Sequence, residues 1–148
     1  MRLNHVNLCS SDVGELARTL SQHFGYRIID SGPVHNGEGS FAALVGADGS
    51  EIVITPIPRN TATGAAYPPG FHFGLMQDSR EAVLAKHAEL KNAGHSPGDI
   101  HDGFQVWGAT WTAFYCPLGD GLDIEINYRT PTPVLDTQTS ASTWTRST

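Results

Sequence analysis

The stretch "YPPGFHFGLM", residues 67–76, restates a pattern met at the start of the chain in "LNHVNL", residues 3–8. In each, a histidine stands one step inside a short apolar strand, His5 in the first and His72 in the second. Each strand is followed by polar residues and then by a segment with apolar residues at helical spacing. The first such segment, "DVGELARTLSQHF" (residues 12–24), places Val13, Leu16, Leu20 and Phe24 on one face, with Asp12 as N-cap and Gly25 as the stop. The second, "DSREAVLAKHAELKNAGH" (residues 78–95), does the same with Val83, Leu84, His87 and Leu90, and Gly94 ends it.

Strands complete both copies. "YRIID", "SFAALVG" and "EIVITPI" follow the first helix, with the tight turn "ADG" before the last of them. After the second helix come an irregular stretch holding one strand (residues 95–110), then "TWTAFYC" and "LDIEINY", joined through "PLGDG". The chain therefore reads as βαβββ twice, an α+β protein of two tandem modules whose curved mixed sheets enclose a shared cavity. The first module is expected over residues 1–60, a Pro-, Gly- and Thr-rich linker over 61–70, and the second module over 71–128. Residues 129–148, polar and Thr/Ser-rich, are expected to form a tail or an arm that orders on contact, with Trp144 as its large anchor.

Composition excludes several function classes. A length of 148 residues suits one domain or two small packed modules. The formal net charge of -6 argues against electrostatic binding to nucleic acid or to an anionic membrane. No apolar run approaches the roughly 18 residues needed to span a bilayer. The opening "MRLNHVNLCSSDVGE" lacks the apolar stretch of a secretory signal, so a cytoplasmic location is expected. Cys9 and Cys116 match no disulfide framework or zinc pattern and read as small strand residues. Phosphate-binding Gly-rich loops, GxSxG elbows and HExxH helices are absent from the sequence.

Strand parity then locates the chemistry. In "LNHVNL", Val6 and Leu8 pack toward the helix, which turns His5 and Asn7 the other way. In "FHFGLM", Phe71, Phe73 and Leu75 pack down, leaving His72, Gly74 and Met76 on the opposite face. In "LDIEINY", Leu122, Ile124, Ile126 and Tyr128 form the apolar face, so Asp123, Glu125 and Asn127 face away from it. Two histidines and a carboxylate on one concave face form a ligand set for a single divalent metal ion, Fe(II), Mn, Zn, Ni or Co. Such a set leaves coordination positions open for a small organic substrate. Trp107, Trp111 and Phe104 suit an aromatic wall for a planar ligand, Met76 adds apolar surface, and Asn7 is a candidate hydrogen-bond donor. His23, His87, His35 and His95 read as solvated or locally bonded.

These segments resemble the vicinal oxygen chelate superfamily of glyoxalase I, bleomycin-resistance proteins, fosfomycin-resistance enzymes and extradiol dioxygenases. The resemblance covers about residues 2–128 and rests on "LNHVNL", "YPPGFHFGL", "WGATWTAFYCPLGDGLDIEI" and the repeated element order. It implies metal ligands at His5, His72 and Glu125, and modules that pair within one chain or across a dimer; a homodimer is expected because a sheet pair of this size leaves an apolar edge to cover. Glyoxalase I takes a fourth ligand from the last strand of the first module. Aligning "ADG" with "GDG" places Val53 there, with Glu51 two residues away on the same face. In the dioxygenases a tyrosine lies ten residues before the glutamate, a position held here by Tyr115. Their acid–base histidine has no match, since Val106 occupies about that position and His101 lies nearby. No Lys and Arg cluster marks a phosphonate site. The resemblance implies a divalent-metal-dependent enzyme with dioxygenase-like or isomerase/lyase-like chemistry, Glu125, Tyr115 and His101 being the candidates to move protons. The alternative is a protein that sequesters an antibiotic or metabolite without turnover.

Overall fold

The computed structural model describes residues 3–35, 37–57 and 66–130. The first half forms β1 (His5–Ser10), α1 (Val13–His23), β2 (Arg27–Pro33), β3 (Ser40–Val45) and β4 (Glu51–Pro56). The second half forms β5 (His72–Met76), α2 (Arg80–Asn92), β6 (His101–Val106), β7 (Ala109–Gly119) and β8 (Leu122–Arg129). Each half makes its own four-stranded mixed sheet, ordered β1-β4-β3-β2 and β5-β8-β7-β6. In both, the first strand runs parallel to the last and the remaining pairs are antiparallel. The βαβ crossover demanded by that parallel pair carries the helix onto one face of each sheet.

Local sequence explains where the helices begin. The Asp12 carboxylate accepts from the Glu15 backbone N–H at 2.8 Å, and the Ser79 hydroxyl accepts from that of Ala82 at 3.1 Å. Gly25 and Gly94, which follow the two helix ends, both adopt positive φ. On α1, Leu16, Ala17 and Leu20 are buried against Leu8, Leu44, Ile52 and Ile54, while on α2 Val83 and Leu90 meet Phe114, Cys116, Ile124 and Ile126. Full burial of each such Leu or Ile contributes about 1.5–3 kcal/mol, so the two helices hold the fold through one face each. Leu84 and His87 are only half-buried. His87 bonds the Gly98 carbonyl at 3.0 Å and stands edge-on to Phe114.

Among the described residues, three sets of hydrogen bonds join the halves. The Asp120 carboxylate, in the β7–β8 turn, accepts from the Ser10 hydroxyl at 3.1 Å and the Ser11 N–H at 2.8 Å, just before α1. The Tyr67 hydroxyl bonds the backbone of Cys9 on both sides, accepting from its N–H at 2.5 Å and donating to its carbonyl at 3.0 Å. On the helix side, Lys86 donates to the His23 carbonyl and to Glu89, and Glu89 also contacts the His23 ring.

Several expectations are corrected. Val6 does not pack under α1: it is more than a third exposed and lines a cleft of about 230 Å³ with Phe73 and Leu75 of the other half. Its place near the start of an edge strand leaves it short of the helix. Residues 66–70, read as featureless linker, include Tyr67, which packs on the core and stacks on Phe71 at 4.7 Å. β8 includes Arg129, so that residue is strand rather than tail. Residues 61–65, and 131–148 with Trp144, lie outside the described residues. Among the described residues no helix is long and apolar enough to cross a membrane. Cys9 and Cys116 are free thiols.

Candidate functional site

The sheet faces turned away from the helices follow from register. Along β7, Phe114 and Cys116 are fully buried on the helix side, which turns Trp111, Ala113 and Tyr115 the other way. Along β8, buried Leu122, Ile124 and Ile126 do the same for Asp123, Glu125, Asn127 and Arg129. Tyr115 is the direct cross-strand partner of Glu125, which is in turn opposite Gly74 on β5. His72 is opposite Asp123, one diagonal step from Glu125.

This placement brings His72, Tyr115, Glu125 and Asn127 together. The His72 Nδ1 lies 2.9 Å from the Gly70 carbonyl oxygen, which can only accept. In the neutral ring Nδ1 therefore carries the proton, and the lone pair is on Nε2. That Nε2 faces the Glu125 Oε2 at 3.6 Å, too far for a hydrogen bond. The Tyr115 hydroxyl donates to the same Oε2 at 2.5 Å, and the Asn127 Nδ2 donates to Oε1 at 2.7 Å. Both carboxylate oxygens are thus held, and the Tyr115 ring stands edge-on to the His72 ring at 5.1 Å. The hydrogen bond to Glu125, with burial and the nearby negative charge behind it, pushes the Tyr115 phenol up to about 12. At neutral pH Tyr115 is therefore a donor and not a base.

Asn127 was not singled out by sequence reasoning beyond its face. It is 6% exposed, and among the described residues its Oδ1 is buried with no hydrogen-bond partner. Room for its amide comes from Gly74: a Cβ there would stand 3.2 Å from the Asn127 Nδ2 and 3.8 Å from the Glu125 Oε1. The available signal was a glycine on β5 paired with the glutamate position, which asks for a close approach.

The other candidates lie around this cluster or apart from it. His101 begins β6 opposite Ala113, on the same face and one pair-step along β7 from Tyr115. It is exposed, with Phe104 as its ring neighbour at 6.4 Å. Trp111 has Phe104 at 6.3 Å, Trp107 at 5.9 Å and the Arg129 guanidinium at 5.6 Å from its ring. Met76, at the end of β5, is 57% exposed. Asn7 is exposed on β1 and donates to the Thr55 hydroxyl at 3.2 Å.

His5 is opposite Glu51 in β1–β4 register, and its Nδ1 lies 2.9 Å from the Asn4 side-chain oxygen. Val53 is opposite Asn7, the register position that Glu125 has in the second sheet. The first half thus offers a histidine and Glu51 where the second offers His72 and Asp123, and Val53 where the second offers Glu125. His72 and Glu125 present one imidazole nitrogen and one carboxylate, donors that divalent transition metals accept. The His72–Gly70 bond is the second-layer contact that orients such a ligand. Among the described residues, however, no group of three His, Cys, Asp or Glu side chains is gathered closely enough to hold an ion, so His5 does not join this pair within one chain.

The fold and its paired sheets define a two-module α+β protein of the glyoxalase type. A profile of the Glyoxalase/Bleomycin resistance protein/Dioxygenase superfamily matches residues 2–126, and the chain belongs to that superfamily. A possible glyoxalase from Bacillus cereus is 26% identical over 85% of this chain and 97% of its own, with a TM-score of 0.63. A mutant of the fosfomycin resistance protein FosX from Listeria monocytogenes, complexed with Mn(II) and 1S,2S-dihydroxypropylphosphonic acid, is 18% identical over 84% of this chain and 90% of its own, with a TM-score of 0.63. TnmS3, an antibiotic binding protein from Streptomyces sp. CB03234, is 15% identical over 88% and 97%, with a TM-score of 0.61. No curated protein matches the sequence.

Proposed function

We propose that this protein is a divalent-metal-dependent enzyme that acts on a small organic molecule through vicinal oxygens, with His72, Glu125 and His5 as metal ligands. The observation that carries this reading is the 3.6 Å approach of the His72 Nε2 lone pair to Glu125, with the ring oriented from behind by Gly70. In the neutral ring the Nε2 lone pair and the carboxylate are both acceptors, and a cation placed between them would be held by both. An ion so held would act as a Lewis acid toward the substrate's vicinal oxygens.

The chain's own groups have separate tasks. Tyr115 keeps its proton at neutral pH and donates it in a hydrogen bond, to Glu125 in the resting state and to a substrate oxygen when one is present. Asn127 keeps the Glu125 carboxylate from rotating. Glu125 is the preferred base, with His101, one step along the sheet, as the alternative. Asn7, on the face with His5, would hydrogen-bond the substrate.

His5 is supplied by a second copy of the chain in this reading, since one chain does not bring it to His72 and Glu125. Exposed apolar side chains on the two open faces, Ile29 and Met76 among them, support such pairing. Metal analysis of anaerobically purified protein tests the site, with loss of metal expected in His5→Ala, His72→Ala and Glu125→Ala. Mixing unfolded His5→Ala and Glu125→Ala chains and refolding them tests the sharing. Sites shared between chains regain part of the metal content in the mixed dimer, whereas sites confined to one chain regain none.

A second reading, sequestration of an antibiotic or metabolite without turnover, is favoured by one observation, the aromatic group that exposed Phe104 and Trp107 form with half-buried Trp111. The likeness to TnmS3 is consistent with it. Turnover of a bound compound by metal-loaded protein would overturn this second reading. Absence of stoichiometric metal, with ligand affinity unchanged in His5→Ala, would overturn the first.

A further inference from the structure

β1 and β5 are edge strands of their sheets, and the two halves face one another across them. At the Cys9 end of β1 the Tyr67 hydroxyl closes the junction by bonding the strand's backbone N–H and carbonyl. Toward the start of β1 the halves part around the cleft of about 230 Å³. Its apolar lining comes from both sides, Val6, Ile52 and Tyr26 from one half and Phe73 and Leu75 from the other. Ile52 and Tyr26 are buried, but Val6 is more than a third exposed and Phe73 and Leu75 are only half-buried. Apolar surface is thus left in water at this place, and a compact apolar group seated there would remove it.

The fixed charges along the cleft have one sign. Asp48 and Glu51 both line it, and among the described residues no Lys or Arg does. Their carboxylates differ in what they bind. Asp48 accepts from the Ser50 N–H at 3.0 Å and from its hydroxyl at 2.6 Å, bonds that hold it below the usual carboxylate range. The Ser50 Oγ in turn lies 3.1 Å from the Tyr26 hydroxyl, which ties that ring to the same rim. Glu51 is opposite His5 across β1 and β4, and among the described residues its carboxylate has no hydrogen bond or ion pair. A charged acceptor without a protein donor, next to aromatic surface, is complementary to a cation. The carboxylate accepts an N–H, and the Tyr26 and Phe73 rings attract positive charge.

We propose that this cleft between the halves binds a small primary ammonium with a compact apolar body, the body against Val6, Ile52, Phe73 and Leu75 and the ammonium at Glu51. At about 230 Å³ the cleft is smaller than the roughly 300 Å³ at which drug-sized sites begin, which limits the ligand to one ring or a short branched chain. Neither the His72–Glu125 pair nor a metal ion takes part, so this site stands or falls apart from the metal-dependent activity.

NMR titration of the chelator-treated full chain at pH 8 with benzylamine, benzyl alcohol and benzoate tests it. Protonated benzylamine should bind about 5-fold more tightly than benzyl alcohol, the gain of one exposed charge-assisted contact. Benzoate should bind more weakly than either. The methyl signals of Val6, Ile52 and Leu75 should shift as the amine is added. Glu51→Gln should bring benzylamine down to the affinity of the alcohol and leave the alcohol unchanged. Val6→Trp, which places bulk in the cleft from a partly exposed position, should weaken amine and alcohol alike. Equal affinity for amine and alcohol, a preference that survives Glu51→Gln, or shifts confined to other residues overturns the site.

Discussion

Replacing Tyr115 with Phe removes one oxygen and leaves the ring against His72. The lost group is the donor of a 2.5 Å hydrogen bond to the Glu125 carboxylate, and the phenol it belongs to is pushed up to about 12 from an ordinary value of 10. Two pH units correspond to about 2.7 kcal/mol at about 1.36 kcal/mol per unit. Tyr115 is about a third exposed, and solvent screening reduces the contribution to stability to about 1 kcal/mol. Because the folded-state value lies above the unfolded one, the contribution is complete below pH 10 and is lost as pH rises from 10 through 12. Urea unfolding of chelator-treated protein should therefore show wild type more stable than Tyr115→Phe by about 1 kcal/mol near pH 8, an advantage that shrinks steadily above pH 10. No difference at pH 8, or a difference that stays constant to pH 11.5, would refute the assigned hydrogen bond.

Gly74→Ala tests the close approach behind Glu125. Its new methyl would meet the Asn127 amide at 3.2 Å and is expected to turn it away from Glu125, weakening Mn(II) affinity about 10-fold with little change in the unfolding midpoint. Asp120→Ala removes the acceptor of the Ser10 and Ser11 bonds and places Ala at φ +56, so a loss of about 1–2 kcal/mol is expected in urea unfolding. Asp120→Asn, which tolerates that backbone, should lose less. The Arg80 guanidinium and the Thr112 hydroxyl hold the Asp102 carboxyl at about 2, below its ordinary 3.8. The stabilisation is present above pH 4 and lost as pH falls toward 2, so Arg80→Gln should shift the acid unfolding midpoint, followed by circular dichroism, to higher pH.

Alternation makes the faces of these strands legible in the sequence. Leu8, Ile124 and Ile126 pack under the helices as their parity requires, and this turns His5, His72 and Glu125 toward the open faces. The comparison of "ADG" with "GDG" placed Val53 opposite the role of Glu125, and the strand registers of the two halves agree. Both inferences depend only on period-two geometry and turn chemistry, which are local. Trp107 was read as part of an aromatic wall, but its left-handed backbone carries no sequence signature, since Trp-Gly is not a preferred pair for that turn.

The sequence by itself determined the repeated βαβββ order, the helix cap at Asp12, and the sheet face on which His5 and His72 stand. Those features follow from side-chain periodicity and from the short-range hydrogen-bonding preferences of single residues. Only the tertiary structure decided that His72 and Glu125 converge while His5 stands apart, that Tyr67 and Asp120 tie the halves together, and that Asn127 passes over Gly74 to hold Glu125. Each involves residues distant in the chain (Gly74 beside Asn127 and Glu125 in the last case), and its geometry depends on how two separately folded sheets are set against one another, or on which strand lies beside which. Periodicity assigns a face to a residue but carries no information about the partner across it.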